Sequence, residues 1–257
     1  MTKYPTTPQS LVSLVITTLK AYPTIFAQTW LLVAFSAAVH LVVPWFFVIN
    51  PAFGGVAFIG FVLFTWFLYI VILTRANIAL QGGHMKDEAA FKIARKRYLA
   101  VLGSNLIFFG IGAFLFLFEF TLEQLTNLLT QHPFYLIISV IIDLYIFIML
   151  YFAIPIIVLE HKRVYPAFIG SIQLVRHHWW RTFIVLGLLG AAILGVEALG
   201  ILFTGQARMF LFTGYHFLLQ FVFYPLIVAA TLILLHDLKL RLHLKEAETT
   251  PTAASHP

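Results

Sequence analysis

The chain has 257 residues, of which 61% are hydrophobic, 16% aromatic and only 10% charged. A soluble domain carries about 25% charged residues, so a soluble enzyme, a nucleic-acid binder and a disordered chain are poor fits, which leaves a multi-span helical membrane protein. The net charge of +6 then reads as a positive-inside bias rather than a nucleic-acid signal, and the absence of Cys removes disulfides, thiolate metal sites and thiol catalysis.

The polar opening, MTKYPTTPQS, lacks the apolar core and cleavage site of a signal peptide. Leu11, Leu14, Val15, Leu19 and Tyr22 recur at helical spacing opposite Ser13, Thr17 and Lys20, which predicts an amphipathic helix over about 10–22. The next 54 residues, between Lys20 and Arg75, hold no Asp, Glu, Lys or Arg. They suit two spans, near 27–49 and 53–75, with the turn at Asn50-Pro51. Gly82-Gly83 reads as a helix stop. A second amphipathic segment, 86–97, sets Ala90, Phe91 and Ala94 against Glu88, Lys92, Arg95 and Lys96. Spans follow near 98–118 and 133–159, the latter containing Asp143. Phe168, Ile172, Val175 and Trp179 form a third stripe over 166–180, with Pro166 suited to its start. Spans near 182–202, with Glu197, and 209–235 complete the series, and 243–257 reads as a disordered cytoplasmic tail.

The expected fold is therefore an all-α integral membrane protein with one domain over 1–242. Six transmembrane helices and three amphipathic interfacial helices form three parallel repeats of an interfacial helix plus two spans. The periodicity also fits interfacial segments that are extensions of the following spans. Of the 16 Lys and Arg residues, all but Arg208 fall on one side, which predicts cytoplasmic termini.

Ionisable groups inside a membrane are expensive and mark places to look for function. His40, Asp143, Glu197, His216 and Gln220 lie within the spans, with Gln220 one turn from His216 and Ser139 one turn from Asp143. Three readings stay open for them: a structural hydrogen-bond network, a proton relay or cation site, and a polar lining for substrate. They come from different helices with no HExxH-like spacing, so no metal or cofactor is expected. Lys92, Arg95, Lys96, Arg97, Arg176 and Arg181 are candidate contacts for anionic lipid headgroups. His177, His178, Trp179 and Trp180 read as an interface anchor. Gly187, Ala191 and Gly195 form a small-residue packing stripe, and Pro44, Pro155 and Pro225 mark kinks. There is no nucleophile elbow, phosphate loop or dinucleotide glycine pattern.

Three stretches carry a family resemblance: YFAIPIIVLEHKRVYPAFIGSIQLVRHHWWRTF (151–183), ALQGGHMKDEAAFKIARKRY (79–98) and PLIVAATLILLHDLKLRL (225–242). The first joins a Pro-broken span, a Val-Leu-Glu end and an amphipathic helix with a central Ser. The third resembles a terminal apolar run closed by aromatic-Asp-Leu-Arg-x-Arg, with His236 and Lys239 departing from it. Together they resemble the membrane domain attached to some bacterial glycerophosphodiester phosphodiesterases and the related YciC-type inner-membrane proteins. The resemblance implies a six-span bacterial inner-membrane protein, and it does not imply phosphodiesterase activity, because the catalytic barrel is a separate domain. The expected role is non-enzymatic membrane or envelope organisation through contacts with membrane lipids or proteins. The alternative is a small transporter or lipid translocator that uses Asp143, Glu197 and the histidines. Oligomeric state stays open.

Overall fold

The computed structural model describes residues 13, 15–17, 29–30, 33–35, 42–43, 45–83, 85–126, 133–200 and 208–249. Among the described residues every regular element is a helix. Seven helices have defined bounds: α1 Pro51–Leu80, α2 Asp87–Thr126, α3 Pro133–Leu150, α4 Ala153–Leu159, α5 Val164–Arg176, α6 Trp179–Gly200 and α7 Arg208–Thr249. Four stretches are long and apolar enough to cross a membrane: α1, Asp87–Phe118 of α2, Ile137–Leu159 across α3 and α4, and Phe223–Leu244 of α7. Helix α6 is apolar as well over Trp179–Ala192.

Local signals explain the ends of α1. Asn50 caps its start, its Oδ1 accepting the Ala52 N–H at 2.8 Å, with Pro51 in the first turn. Its C-terminus closes through Gly82 at φ +79, which only glycine adopts without strain. The Gly82 N–H donates to the Ala79 carbonyl and the Gly83 N–H to the Ile78 carbonyl, satisfying two orphan acceptors. Asp87 and Glu88 then open α2, where carboxylates favour the positive end of the helix dipole. Arg75 near the end of α1 pairs with Asp87 across this turn.

The structure redraws several sequence boundaries. The amphipathic segment 86–97 is not a separate helix: from Asp87 it runs unbroken into the predicted span 98–118. The reason is local, since 87–102 contains no Gly or Pro and is rich in Ala, Lys and Arg, all strong helix formers. The segment 166–180 is a separate helix, α5, but it ends at Arg176, and Trp179 opens α6 after a turn at His177-His178. The predicted span 133–159 is broken at Tyr151-Phe152. The predicted disordered tail from 243 begins inside α7, which continues to Thr249 because Lys245, Glu246, Ala247 and Glu248 all favour helix. Ser13 and residues 15–17 of the first amphipathic segment are helical, and Val15 is buried in the common core.

The core is concentrated toward one end of the bundle. Ile70 and Leu73 of α1, Phe152, Ile157 of α4, Val175 of α5 and Leu234 and Leu238 of α7 are wholly buried together. Farther from that end, α2 and α3 present large apolar side chains outward, with Phe109 76% and Phe114 68% exposed. Water would not tolerate such a surface over this length, and lipid would.

Candidate functional site

Several charged residues converge where helix ends meet, and the final helix organises them. Three residues of HDLKLRL (236–242) reach partners elsewhere in the chain, and a fourth, Arg241, pairs within the motif. His236 Nε2 lies 2.9 Å from Asn77 Oδ1 of α1, within hydrogen-bond reach. Asp237 is buried and its Oδ2 accepts from Arg181 Nε of α6 at 2.9 Å and from Arg241 Nε, one turn on, at 3.0 Å. Lys239 Nζ lies 2.6 Å from Glu160 Oε1 just beyond α4, and Lys162 Nζ holds the other oxygen at 2.8 Å. Arg97 of α2 donates to the carbonyl of His161 at 3.0 Å, with His161 itself at φ 58. One motif thus ties α7 to α1, to α6 and to the segment after α4.

The environment tunes two groups here. Burial pushes the Glu160 carboxyl up, but the hydrogen bonds and charges of Lys162 and Lys239 outweigh it and hold Glu160 below its ordinary range. Burial and the neighbouring cations Arg241, His177 and Arg181 hold His178 below its ordinary value, against the pull of Asp237.

A second polar point lies at the break between α3 and α4. Pro155 lacks the N–H that would bond the Tyr151 carbonyl, so the helix opens there. The buried Ser171 hydroxyl of α5 bridges the opened turn beside it, accepting the Phe152 N–H at 3.1 Å and donating to the Met149 carbonyl at 2.8 Å. Tyr151, at the break, shares a 2.7 Å hydrogen bond with Thr231 of α7. Ser171 therefore repairs a broken membrane-length helix from outside it.

The third feature is a cleft of about 330 Å³ between α2 and α3. Phe108, Ile111, Leu115 and Phe116 line one wall, and Ile146 and Phe147 the other, around Gly112 and Asp143. Phe168 of α5 packs its ring 5.2 Å from that of Phe108 near one end. Asp143 is exposed on this cleft. Asp143 falls within Ile137–Leu159, a stretch long and apolar enough to cross a membrane, where a carboxylate would cost about 2.5–3.5 kcal/mol on insertion scales.

The predicted intramembrane cluster is only partly visible. His40 lies outside the described residues. Glu197 falls on α6, and His216 and Gln220 on α7, where the backbone alone is described. Among the described residues no three His, Asp or Glu side chains are grouped to hold a metal ion. Of the proposed lipid contacts, Lys92, Arg95, Lys96 and Arg176 are exposed. Arg97 and Arg181 each also hold an acceptor of this chain, the exposed His161 carbonyl and the buried Asp237 respectively. The described glycines of the small-residue stripe, Gly187 and Gly195, have nothing within 4 Å of an added Cβ among the described residues.

Sequence reasoning overlooked Asp237, Glu160, Ser171 and Asn77 as structural anchors. The signal for three of them was present, since Asp237, Glu160 and the central Ser171 all fall in the stretches that carry the family resemblance. No protein-family model, curated protein or solved structure matches the chain. Among the described residues, the fold and site define an all-helical protein with four helices long and apolar enough to span a membrane.

Proposed function

We propose that the chain is a non-enzymatic, multi-pass protein of the bacterial inner membrane that organises the membrane through contacts with lipid headgroups. In this reading six spans cross the bilayer, both termini are cytoplasmic, and the charged end of the bundle lies at the cytoplasmic headgroup layer. The observation that carries it is a division of labour among the cations. Arg181, Arg241, Lys239 and Arg97 are spent on internal partners. Lys92, Arg95 and Lys96 form an exposed stripe on the first turns of α2, while Ala90 and Ala94 on its other face are wholly buried. Exposed Phe91 and Leu99 flank the stripe, the mixture of apolar and basic groups that suits a headgroup boundary. The resemblance to YciC-type proteins points the same way.

The test is reconstitution into bilayers with spin-labelled phosphatidylglycerol or phosphatidylcholine. The native protein should immobilise the anionic lipid preferentially, and Lys92→Gln/Arg95→Gln/Lys96→Gln should abolish that preference. An equal preference in the triple variant would overturn the proposal. A second reading, a small transporter or lipid translocator, is favoured by the cleft that exposes Asp143 between two membrane-length helices.

A further inference from the structure

We propose that the surface where α2 meets the segment leading into α5 is a binding site for a lipid whose headgroup ends in a phosphate monoester. Its cations come from two stretches of chain. Lys92 and Lys96 stand one turn apart on one face of α2, with Arg95 beside them, and all three are exposed. Gly103 lies on the same face, seven residues beyond Lys96, and a Cβ built there would be 3.8 Å from Cγ2 of Val164, the first residue of α5. Arg97 donates to the His161 carbonyl at 3.0 Å, so residues 161–164 lie along α2 between Arg97 and Gly103. Arg163, next to Val164 and exposed, therefore stands beside the lysine-bearing face of α2.

Among the described residues no acid answers this charge. Lys92, Arg95, Lys96 and Arg163 form no ion pair there. Glu160 is held by both Lys162 and Lys239, a trio left with one positive charge in excess. Asp87 pairs with Arg75. Glu88, on the first turn of α2, lies nine residues back from Arg97, about 13 Å along the axis. Like charges at i and i+4 repel, so Lys92 and Lys96 weaken the helix they sit on until an anion joins them. The arrangement selects the form of that anion. A phosphate diester presents two free oxygens and one charge, and the α2 stripe alone would answer it. A terminal phosphate presents three oxygens and up to two charges, which cations on two sides can hold together. Arg97 and Arg163 add guanidiniums, whose planar forks match phosphate oxygens in pairs. Arg97 spends one donor on His161 and keeps others. Exposed Phe91 and Leu99 flank the cations, and that mixture suits a lipid boundary rather than an acidic peptide in water. The site rests on the reading that this end of the bundle lies at the headgroup layer, and it names the headgroup.

The test is the association of spin-labelled lipids with the full chain in phosphatidylcholine bilayers, at mildly alkaline pH where a terminal phosphate approaches two charges. Phosphatidic acid is compared with phosphatidylmethanol, which differs by one methyl on the phosphate and carries a single charge. The native protein should hold phosphatidic acid about fivefold more strongly, the gain from roughly one further unit of charge beside basic residues. Arg163→Gln should remove most of that gain and keep the preference of both anionic lipids over phosphatidylcholine. Arg176→Gln deletes an equal charge at the far end of α5 and should change neither. Both side chains are exposed, and native thermal unfolding confirms that each variant is folded. Equal association of phosphatidic acid and phosphatidylmethanol with the native protein, or an undiminished gain in Arg163→Gln, would overturn this site and leave the headgroup reading standing. Equal association of the anionic lipids and phosphatidylcholine would overturn both. An equal loss in Arg176→Gln would show general surface charge in place of a site. Displacement of the labelled lipid by millimolar inorganic phosphate, but not by chloride of equal ionic strength, would show a site for soluble phosphate. Either result overturns the assignment to a lipid.

Discussion

Asp237 receives Arg181 across 56 residues of sequence, with 2.9 Å between Oδ2 and Nε. The same oxygen also receives Arg241, so one buried carboxylate serves two guanidiniums. The arrangement makes the three residues unequal. Asp237→Asn removes the carboxylate charge that two guanidiniums share, and breaking a buried pair this way costs about 3–5 kcal/mol. Arg181→Gln leaves Asp237 paired with Arg241 and should cost clearly less. Thermal unfolding in detergent should rank the Asp237 variant well below the Arg181 variant; the reverse order would show that Arg241 does not compensate.

Ser171 and Pro155 should be energetically coupled. Ser171→Ala strands the Phe152 N–H and the Met149 carbonyl in a buried site, at a cost of about 1–3 kcal/mol. Pro155→Ala returns a backbone donor to the break and lets the helix close on itself. In that background Ser171→Ala should be milder. A double-mutant cycle measures the difference, and additive effects would mean that the hydroxyl does not repair the break.

Glu160 links stability to acid. Its folded pKa lies below the ordinary 4.5, so its ion pairs stabilise the protein above that value and are lost as pH falls through the folded one. Unfolding midpoints measured between neutral pH and pH 3 should fall more steeply in the native protein than in Glu160→Gln. The variant should also be less stable at neutral pH, since Lys162 and Lys239 lose their partner.

His178 acts in a higher window. Its folded pKa lies below 6.5, so the unfolded chain takes up a proton first as the medium is acidified. Its contribution therefore favours folding above 6.5 and declines as pH drops below it. Replacing it in His178→Gln should flatten the stability profile just below pH 6.5, a change readable by thermal unfolding across that interval. An unchanged slope would place the titration elsewhere among the histidines.

The helical, membrane-length character was legible because it rests on local quantities. Long uncharged runs and the scarcity of charge follow directly from composition, and Asn50-Pro51 and Gly82-Gly83 carry their turn chemistry in the dipeptides themselves. Boundaries were less legible. Residues 86–97 have the period of an interfacial helix, yet nothing in that pattern says whether the backbone stops before 98, and with no Gly or Pro it does not. Pro155 announced a break, but the residue that would satisfy it, Ser171, lies on another helix.

The sequence alone determined how much of this protein prefers lipid and where along the chain its cations fall, since both are read residue by residue. Only the tertiary structure decided which of those cations remain outside. Lys92 and Arg181 look alike in sequence, as basic residues beside an apolar span. Lys92 faces outward from α2, whereas Arg181 is drawn to Asp237 because the packing of α6 on α7 puts a buried carboxylate within reach. A desolvated charge must be paired, and where its partner lies depends on how the helices meet rather than on either residue's neighbours in the chain.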